Sequence, residues 1–549
     1  MTTYKSMHYP QSIVNFVGLT SSCLLLPFAA TAAGAPDAGA IQQQFEQTLK
    51  QPTPSASPPV RATGVAPAST SGTQIMVSGF DFVGNTLVSS VTLEEGTRRF
   101  LNRSLSLNEL RAATDAVQQL YREAGWMVRA VLPAQEVQNG RVKIEITEAR
   151  LGKVVLTGEA KRVQASVIEG MISQQLQPGA PIPQAGLERA LMLLTDLPGM
   201  TPSASFAQGA QPGQTDLVMD VQDKPLLNGL VSLDNMGSPS TGTIRLLGTV
   251  NVNSPLQIGD LLSVTGLKTE GSHYARAAYS LLAGHDGWRI GLQASDVGYS
   301  FFKDGGFFSG TARTHGLSTT YPLVRRQLQT LALNGSWDEK SFRNDGGQPS
   351  DYGIRVGNLA LTANAQDNWA GGGISNASVQ WSSGRVSPHT QVLDATTQGQ
   401  FSKWLITAGR VQALGQGLNL YVTGQVQRAN KTLDSSEKLY LGGAYGVRAY
   451  PGTEGAASEG ESLSLELSQR VQEGLNLNGF YDWARARNPQ DLQAALRDYK
   501  LRGYGVSATW QAASRLQIKA SAARRIGDAP QSNNTFGASR LWLSATYSF

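Results

Sequence analysis

Several absences narrow what this chain of 549 residues can be. It holds one cysteine, Cys23, so disulfides, thiol catalysis and cysteine-ligated metals are excluded for anything folded after that residue. It lacks the series of apolar runs of about 20 residues that a bundle of membrane helices requires. Its net charge is only +5, and the basic residues are spread along the chain without the interleaved aromatics of a nucleic-acid surface. No nucleic-acid partner is expected. Beyond His8, the histidines are His273, His285, His315 and His389, far apart and never at metal-ligand spacing. Walker, G-x-S-x-G and H-E-x-x-H patterns are missing. Catalysis, a cofactor and a metal are therefore not expected.

What is present is glycine, 59 residues, with 40% hydrophobic residues and a mean hydropathy of −0.21. A membrane β-barrel has this profile, because lipid-facing and lumen-facing residues alternate and average out. At the N-terminus, Lys5 and His8 precede an apolar run from Ile13 to Ala30, with small residues through Ala35. This is the order of a secretory signal peptide, and Ala30-Thr31-Ala32 places cleavage after Ala32, giving a signal of 1–32. The run is short for a membrane anchor and contains Pro27. Thr20 stands where a lipoprotein signal needs an aliphatic residue before Cys23.

Residues 33–50 read as an amphipathic helix segment. Asp37 can cap it, Ile41, Phe45 and Leu49 recur on one face, and Pro52 stops it. So short a helix is marginal alone and needs a docking surface. Residues 51–74, rich in Pro, Ser, Thr and Ala, read as an extended linker. Residues 75–149 then follow a β-α-α-β-β order. Ile75–Phe82 is a strand, and Gly84-Asn85 a turn. The second helix carries Leu107, Leu110, Val117, Leu120 and Tyr121, and strands Met127–Leu132 and Val142–Thr147 are joined by the Asn139-Gly140 turn. The order repeats over 150–225, with a strand at Lys153–Leu156, helices at Val163–Leu176 and Gln184–Leu194, and strands ending near Val221. Such a period indicates tandem copies of one domain.

From 226 to 549 period-2 alternation takes over. Leu463, Leu465, Leu467 and Val471 alternate with Ser462, Ser464, Glu466 and Arg470, and the chain ends Leu541, Leu543, Ala545, Tyr547, Phe549 against polar neighbours. About 16 segments of about 10–15 residues match a transmembrane barrel. The competing reading, a soluble β-sandwich or propeller, would have shorter strands. One connection, about 431–460, is far longer than the others and rich in Leu, Tyr and Val. A long apolar loop is a functional candidate that packs on something, here the lumen wall. It carries Arg448. By alternation Leu475, Leu477, Tyr481 and Trp483 face lipid, so Asp482 faces the lumen, where it could meet Arg448. The alternative is that both are ordinary solvated charges.

Taken together these stretches resemble the two-partner secretion transporters, the outer-membrane family that exports filamentous haemagglutinins and haemolysins. Phe80-Asp81-Phe82-Val83-Gly84-Asn85-Thr86, Gly125-Trp126, Leu132-Pro133-Ala134-Gln135 and Leu194-Thr195-Asp196-Leu197-Pro198-Gly199 are similar to stretches of POTRA domains. Asp234-Asn235-Met236-Gly237 with Thr241-Gly242 resembles the first barrel hairpin. Val447-Arg448-Ala449-Tyr450 resembles the loop-tip signature, with Ala449 where the family usually has glycine, and Phe480-Tyr481-Asp482 its barrel-wall partner. The resemblance implies a mainly β fold: a plug helix carrying Ile41, Phe45 and Leu49, two small α/β POTRA domains, and a C-terminal 16-stranded barrel with its sixth extracellular loop folded inward. It implies a monomer in outer-membrane lipid, POTRA domains in the periplasm, and type V export of a large unfolded partner protein bearing an N-terminal secretion domain. Ala449 would narrow the loop-tip backbone relative to glycine. The alternatives are an outer-membrane assembly insertase of the same superfamily, which typically has more POTRA repeats, and a passive porin, which would leave 37–225 without a purpose.

Overall fold

The computed structural model describes residues 36–49, 74–158, 161–211, 213–303, 305–346, 349–391, 394–489, 497–527 and 537–549. The expected signal peptide lies outside the described residues, as does the linker apart from Gln74. The first element is α1, Ala38–Leu49. Asp37 caps it, its carboxylate accepting from Ala40 N at 2.7 Å.

The first small domain contains β1 (Ile75–Val77), β2 (Gly79–Val83), α2 (Ser90–Thr97), β3 (Arg103–Leu105), α3 (Leu107–Glu123), β4 (Val128–Val131) and β5 (Arg141–Glu148). Ser106 and Glu109 close a capping box that starts α3. That helix buries Leu110, Ala113, Val117 and Tyr121 against the sheet β2-β5-β4. Three sequence expectations need correction. The strand expected over 75–82 is broken at Ser78, where β1 leaves to pair with β3 while β2 pairs parallel to β5. Ser78 donates its amide to Gly140 O and its hydroxyl to Asn139 O, both at 2.8 Å, which bends the chain there. Asn139-Gly140 is a turn with both φ positive, but it closes the bridge from Gln138 to Arg141 at the end of a longer connection instead of joining β4 directly to β5. Leu107, counted on the apolar face, is exposed at the first position of α3.

The second domain repeats the plan with β6 (Arg150–Thr157), α4 (Ala165–Ser173), α5 (Gln184–Thr195), β7 (Met200–Gln208) and β8 (Gln214–Asp223). Its sheet, β6-β8-β7, has the same parallel pair followed by an antiparallel edge. The α4 helix is shorter than the expected 163–176. Backbone bonds from Met127 N to Ile182 O at 3.2 Å and from Gln184 N to Gly125 O at 2.9 Å join the two domains.

The remainder is a closed antiparallel barrel of 16 strands. Its first strand, Leu227–Asp234, pairs with the last, Ser539–Ser548, from Asp234↔Ser544 to Leu230↔Ser548. Several strands exceed the expected length, reaching 20 residues in Gly306–Arg325, while the first three are shorter, at 8 or 9 residues. Leu463, Leu465, Leu467, Leu477 and Tyr481 are exposed on the outer face, while the alternate positions turn inward. The chain enters the barrel from β8, so the 254–260 and 283–288 turns lie at the periplasmic rim and the long 430–458 connection at the extracellular one.

Candidate functional site: the lumen and its two occupants

Two segments of chain fill the lumen. The 430–458 connection folds inward and packs Leu439, Leu441, Val447, Ala449, Tyr450 and Ala457 on the inner wall. That wall is built from small residues, Ala484 and Ala486 on Leu475–Arg487 and Ala523 on Leu516–Arg525, which leave room for the loop. The tip is tightly wound. Val447 N donates to Leu441 O at 2.8 Å and Tyr450 N to Val447 O at 3.0 Å. A side chain on Gly446 would lie 2.2 Å from Leu441 O, so only glycine fits there.

The wound tip aims Arg448 at the wall. Its Nε and Nη2 donate to the two oxygens of Asp482, both at 2.8 Å, and its backbone N adds a third contact at 3.1 Å. Nη1 reaches Glu466 at 2.5 Å, and Ser464 Oγ donates to Asp482 at 2.7 Å. The guanidinium lies over the Phe480 ring at 3.3 Å, and Trp542 Nε1 donates to Arg448 O at 2.8 Å. The side chains of Arg448 and Asp482 are 8% and 2% exposed. A planar guanidinium bound bidentately, stacked on a ring and largely desolvated is a geometry that lysine cannot reproduce. Ala449 does not adopt a positive φ, so the alanine leaves the turn unstrained, and its methyl packs towards Gly503.

The second occupant is α1. Ala38, Ile41 and Phe45 are buried among Leu267, Tyr274, Val297, Phe342, Tyr352 and Leu433, and Leu49 lies half-buried at the margin. Phe45 meets the Tyr274 ring at 5.9 Å. Polar contacts tie the helix to both wall and loop. Ala38 N donates to Asn344 at 2.8 Å, Gln42 to Thr314 at 2.7 Å, and Ser435 Oγ to Asp37 at 2.6 Å. At Gly39 any Cβ would lie 2.5 Å from Ser435 Oγ, which shows how closely helix and loop approach. Beside this junction Glu437 accepts Lys340 and Lys403, each at 2.8 Å. Burial would raise the Glu437 carboxyl, but the two lysine charges outweigh it and hold it at about 2. Asp434 faces Asp37 instead of a lysine. Burial, and then the Asp37 charge, push it up to about 6. The space left between the occupants and the wall is about 1590 Å³.

At the periplasmic rim the second small domain is fastened to the barrel. Asp286, in the 283–288 turn, accepts Arg189 of α5 at 3.0 Å and Gln175 at 2.7 Å, and Tyr321 donates to it at 2.5 Å. Arg325 pairs with Asp196 at 2.7 Å, and Gln327 N donates to Glu188 at 2.8 Å.

The structure thus brings Arg448, Asp482 and Phe480 together, and Ile41 with Phe45 in a separate cluster. Sequence reasoning missed Glu466 and Trp542. Glu466 sits on the polar side of an alternating strand, and Trp542 is an aromatic on a face otherwise made of Arg540 and Ser/Thr residues. It also missed the loop–helix junction at Asp434, Ser435 and Glu437, for which irregular loop sequence gives no periodic signal.

A closed barrel with two tandem POTRA-like domains and an inward loop defines an outer-membrane transporter class. The model for "Haemolysin secretion/activation protein ShlB/FhaC/HecB" matches residues 213–509, more than half of the chain, and that for "POTRA domain, ShlB-type" matches 75–149. The chain belongs to this haemolysin secretion/activation family. It is 24% identical to the heme/hemopexin transporter protein HuxB of Haemophilus influenzae over 94% of this chain and 96% of that one. It is 25% identical to the outer membrane transporter CdiB of Escherichia coli over 83% and 81% of the two chains. The solved structure of CdiB from Escherichia coli superposes with a TM-score of 0.69 at 20% identity, covering 95% of this chain and all of that one. The structure of BamA from Haemophilus ducreyi lacking POTRA domains 1–3 shares the fold, with a TM-score of 0.56.

Proposed function

We propose that this chain exports a large, unfolded partner protein through the outer membrane, with the POTRA domains receiving it in the periplasm. The observation that carries the reading is a polar barrel lumen filled by two segments of the chain itself, each held by contacts that an incoming polypeptide can replace. A passive porin would keep its lumen open, and a barrel of this strand number is wide enough for a channel once emptied. In this reading the N-terminal secretion domain of the partner pairs with an exposed edge such as β7, where the stretch from Ser203 to Gln208 faces solvent. Then α1 leaves the lumen on its tether, and the Arg448 loop either shifts or serves as one wall of the passage. The protein works as a monomer embedded in outer-membrane lipid. Secretion of a large exoprotein encoded beside this chain, measured in cells with and without it, tests the proposal. Unchanged export without the chain rules it out, and loss of other barrels from the membrane would instead favour an insertase.

A further inference from the structure

The outer wall carries a feature that neither lumen nor export uses. On the strands Glu459–Gln472, Leu475–Arg487, Asp498–Ala513 and Leu516–Arg525 the outward side chains change character at one level. On the membrane side are Leu463, Leu465, Tyr481, Trp483, Tyr504 and Val506. Immediately beyond them, at the extracellular end, stand Arg485, Arg487, Lys500, Arg502 and Arg524. The register places Arg502 opposite Trp483, Arg524 opposite Tyr504, and Lys500 directly opposite Arg485. Like charges facing each other across a strand pair are destabilising unless something neutralises them.

The carboxylates nearby are already engaged. Glu461 binds Arg428 at 2.8 Å and Arg487 at 3.2 Å, and Asp498 is bonded to Arg485 at 2.7 Å. Among the described residues Arg502 and Arg524 make no side-chain hydrogen bond or ion pair, and both are exposed. The seam therefore holds unneutralised guanidinium groups one layer beyond an aromatic belt. That belt marks the membrane–water interface, so the arginines lie at the depth of the headgroups. Guanidinium matches phosphate bidentately.

We propose that this seam binds the phosphorylated headgroup of a glycolipid in the extracellular leaflet, with Arg502 and Arg524 on the phosphate and Lys500 beside them. The inner faces of the same strands carry Glu466, Phe480 and Asp482, so a lipid bound outside braces the wall that holds Arg448 inside. The test uses the full chain in detergent, titrated with bisphosphorylated lipid A and followed by native mass spectrometry. Dephosphorylated lipid A, phosphatidylglycerol and inorganic phosphate are run in parallel. The bisphosphorylated form is expected to bind best, and the double variant Arg502→Gln/Arg524→Gln to bind it about 30-fold more weakly. The double variant Arg502→Lys/Arg524→Lys keeps the charge but loses the bidentate fork, so it is expected to bind at an intermediate level, and unchanged heat-modifiable migration of both double variants excludes a folding defect. Equal binding of the dephosphorylated form, or no loss in the glutamine variant, overturns the site. Equal binding of phosphatidylglycerol, or full competition by inorganic phosphate, overturns its assignment to this lipid.

Discussion

A Cβ placed on Gly503 would lie 2.6 Å from the Ala449 Cβ, so the methyl on the loop tip occupies the space that the barrel wall leaves open. One partner of this contact can carry a side chain, but not both. Gly503→Ala is expected to push the tip off the wall and weaken the Arg448 contact, with loss of export. Overpacking of this kind costs about 1–3 kcal/mol. Ala449→Gly combined with Gly503→Ala should restore export, and secretion assays on the single and double variants decide the matter.

Arg448→Ala removes one side of a nearly buried pair and leaves Asp482 and Glu466 facing each other. Loss of one buried partner costs about 3–5 kcal/mol, and residual lumen water lowers that figure. Export should fall sharply while heat-modifiable migration of the barrel on gels stays normal. Asp482→Ala should behave alike, and the double variant should be little worse than either single one. Additive defects would show that the residues act independently.

Removal of 37–49, or Ile41→Asp with Phe45→Asp, should empty one side of the lumen. Single-channel conductance in planar bilayers is expected to rise, with export largely retained. Unchanged conductance would show that α1 does not limit the pore.

Asp434 makes helix docking pH-dependent. Its carboxyl is raised to about 6 in the docked state, against about 3.9 for a free aspartate. The groups facing it are Asp37 from α1, Tyr352 from the wall, and Ser436 on its own turn. The Asp37 charge leaves with α1, so the docked state holds the Asp434 proton more tightly and docking strengthens as pH falls through about 6. Channel openings should be rarer at about pH 5 than at about pH 7.5, and little changed above that. Asp434→Asn should show the acidic behaviour at both values.

Asp286→Ala removes the acceptor shared by Arg189, Gln175 and Tyr321. The second POTRA domain should then swing relative to the barrel, detectable as broadened spin-label distances between the two, and export should drop.

Alternation made the barrel legible, because a strand with one face in lipid and one in a polar lumen must write both into its sequence. The same parity indicates which side Asp482 occupies. It cannot rank the lumen-facing acids, so Glu466 passed as one polar residue among serines. The break at Ser78 was hidden because β1 and β2 have the same apolar character and differ only in their partners. The Glu437–Lys340–Lys403 cluster joins a loop to two distant strands, and only the closed barrel brings them together.

Trp542 lies on the last strand, which completes the barrel by pairing with the first, and its indole holds Arg448 O. The strand that closes the barrel therefore also supplies a hydrogen bond to the loop tip. Seating of the loop is thereby tied to closure of the wall: until that strand pairs with the first one, the indole that holds the tip is not in place.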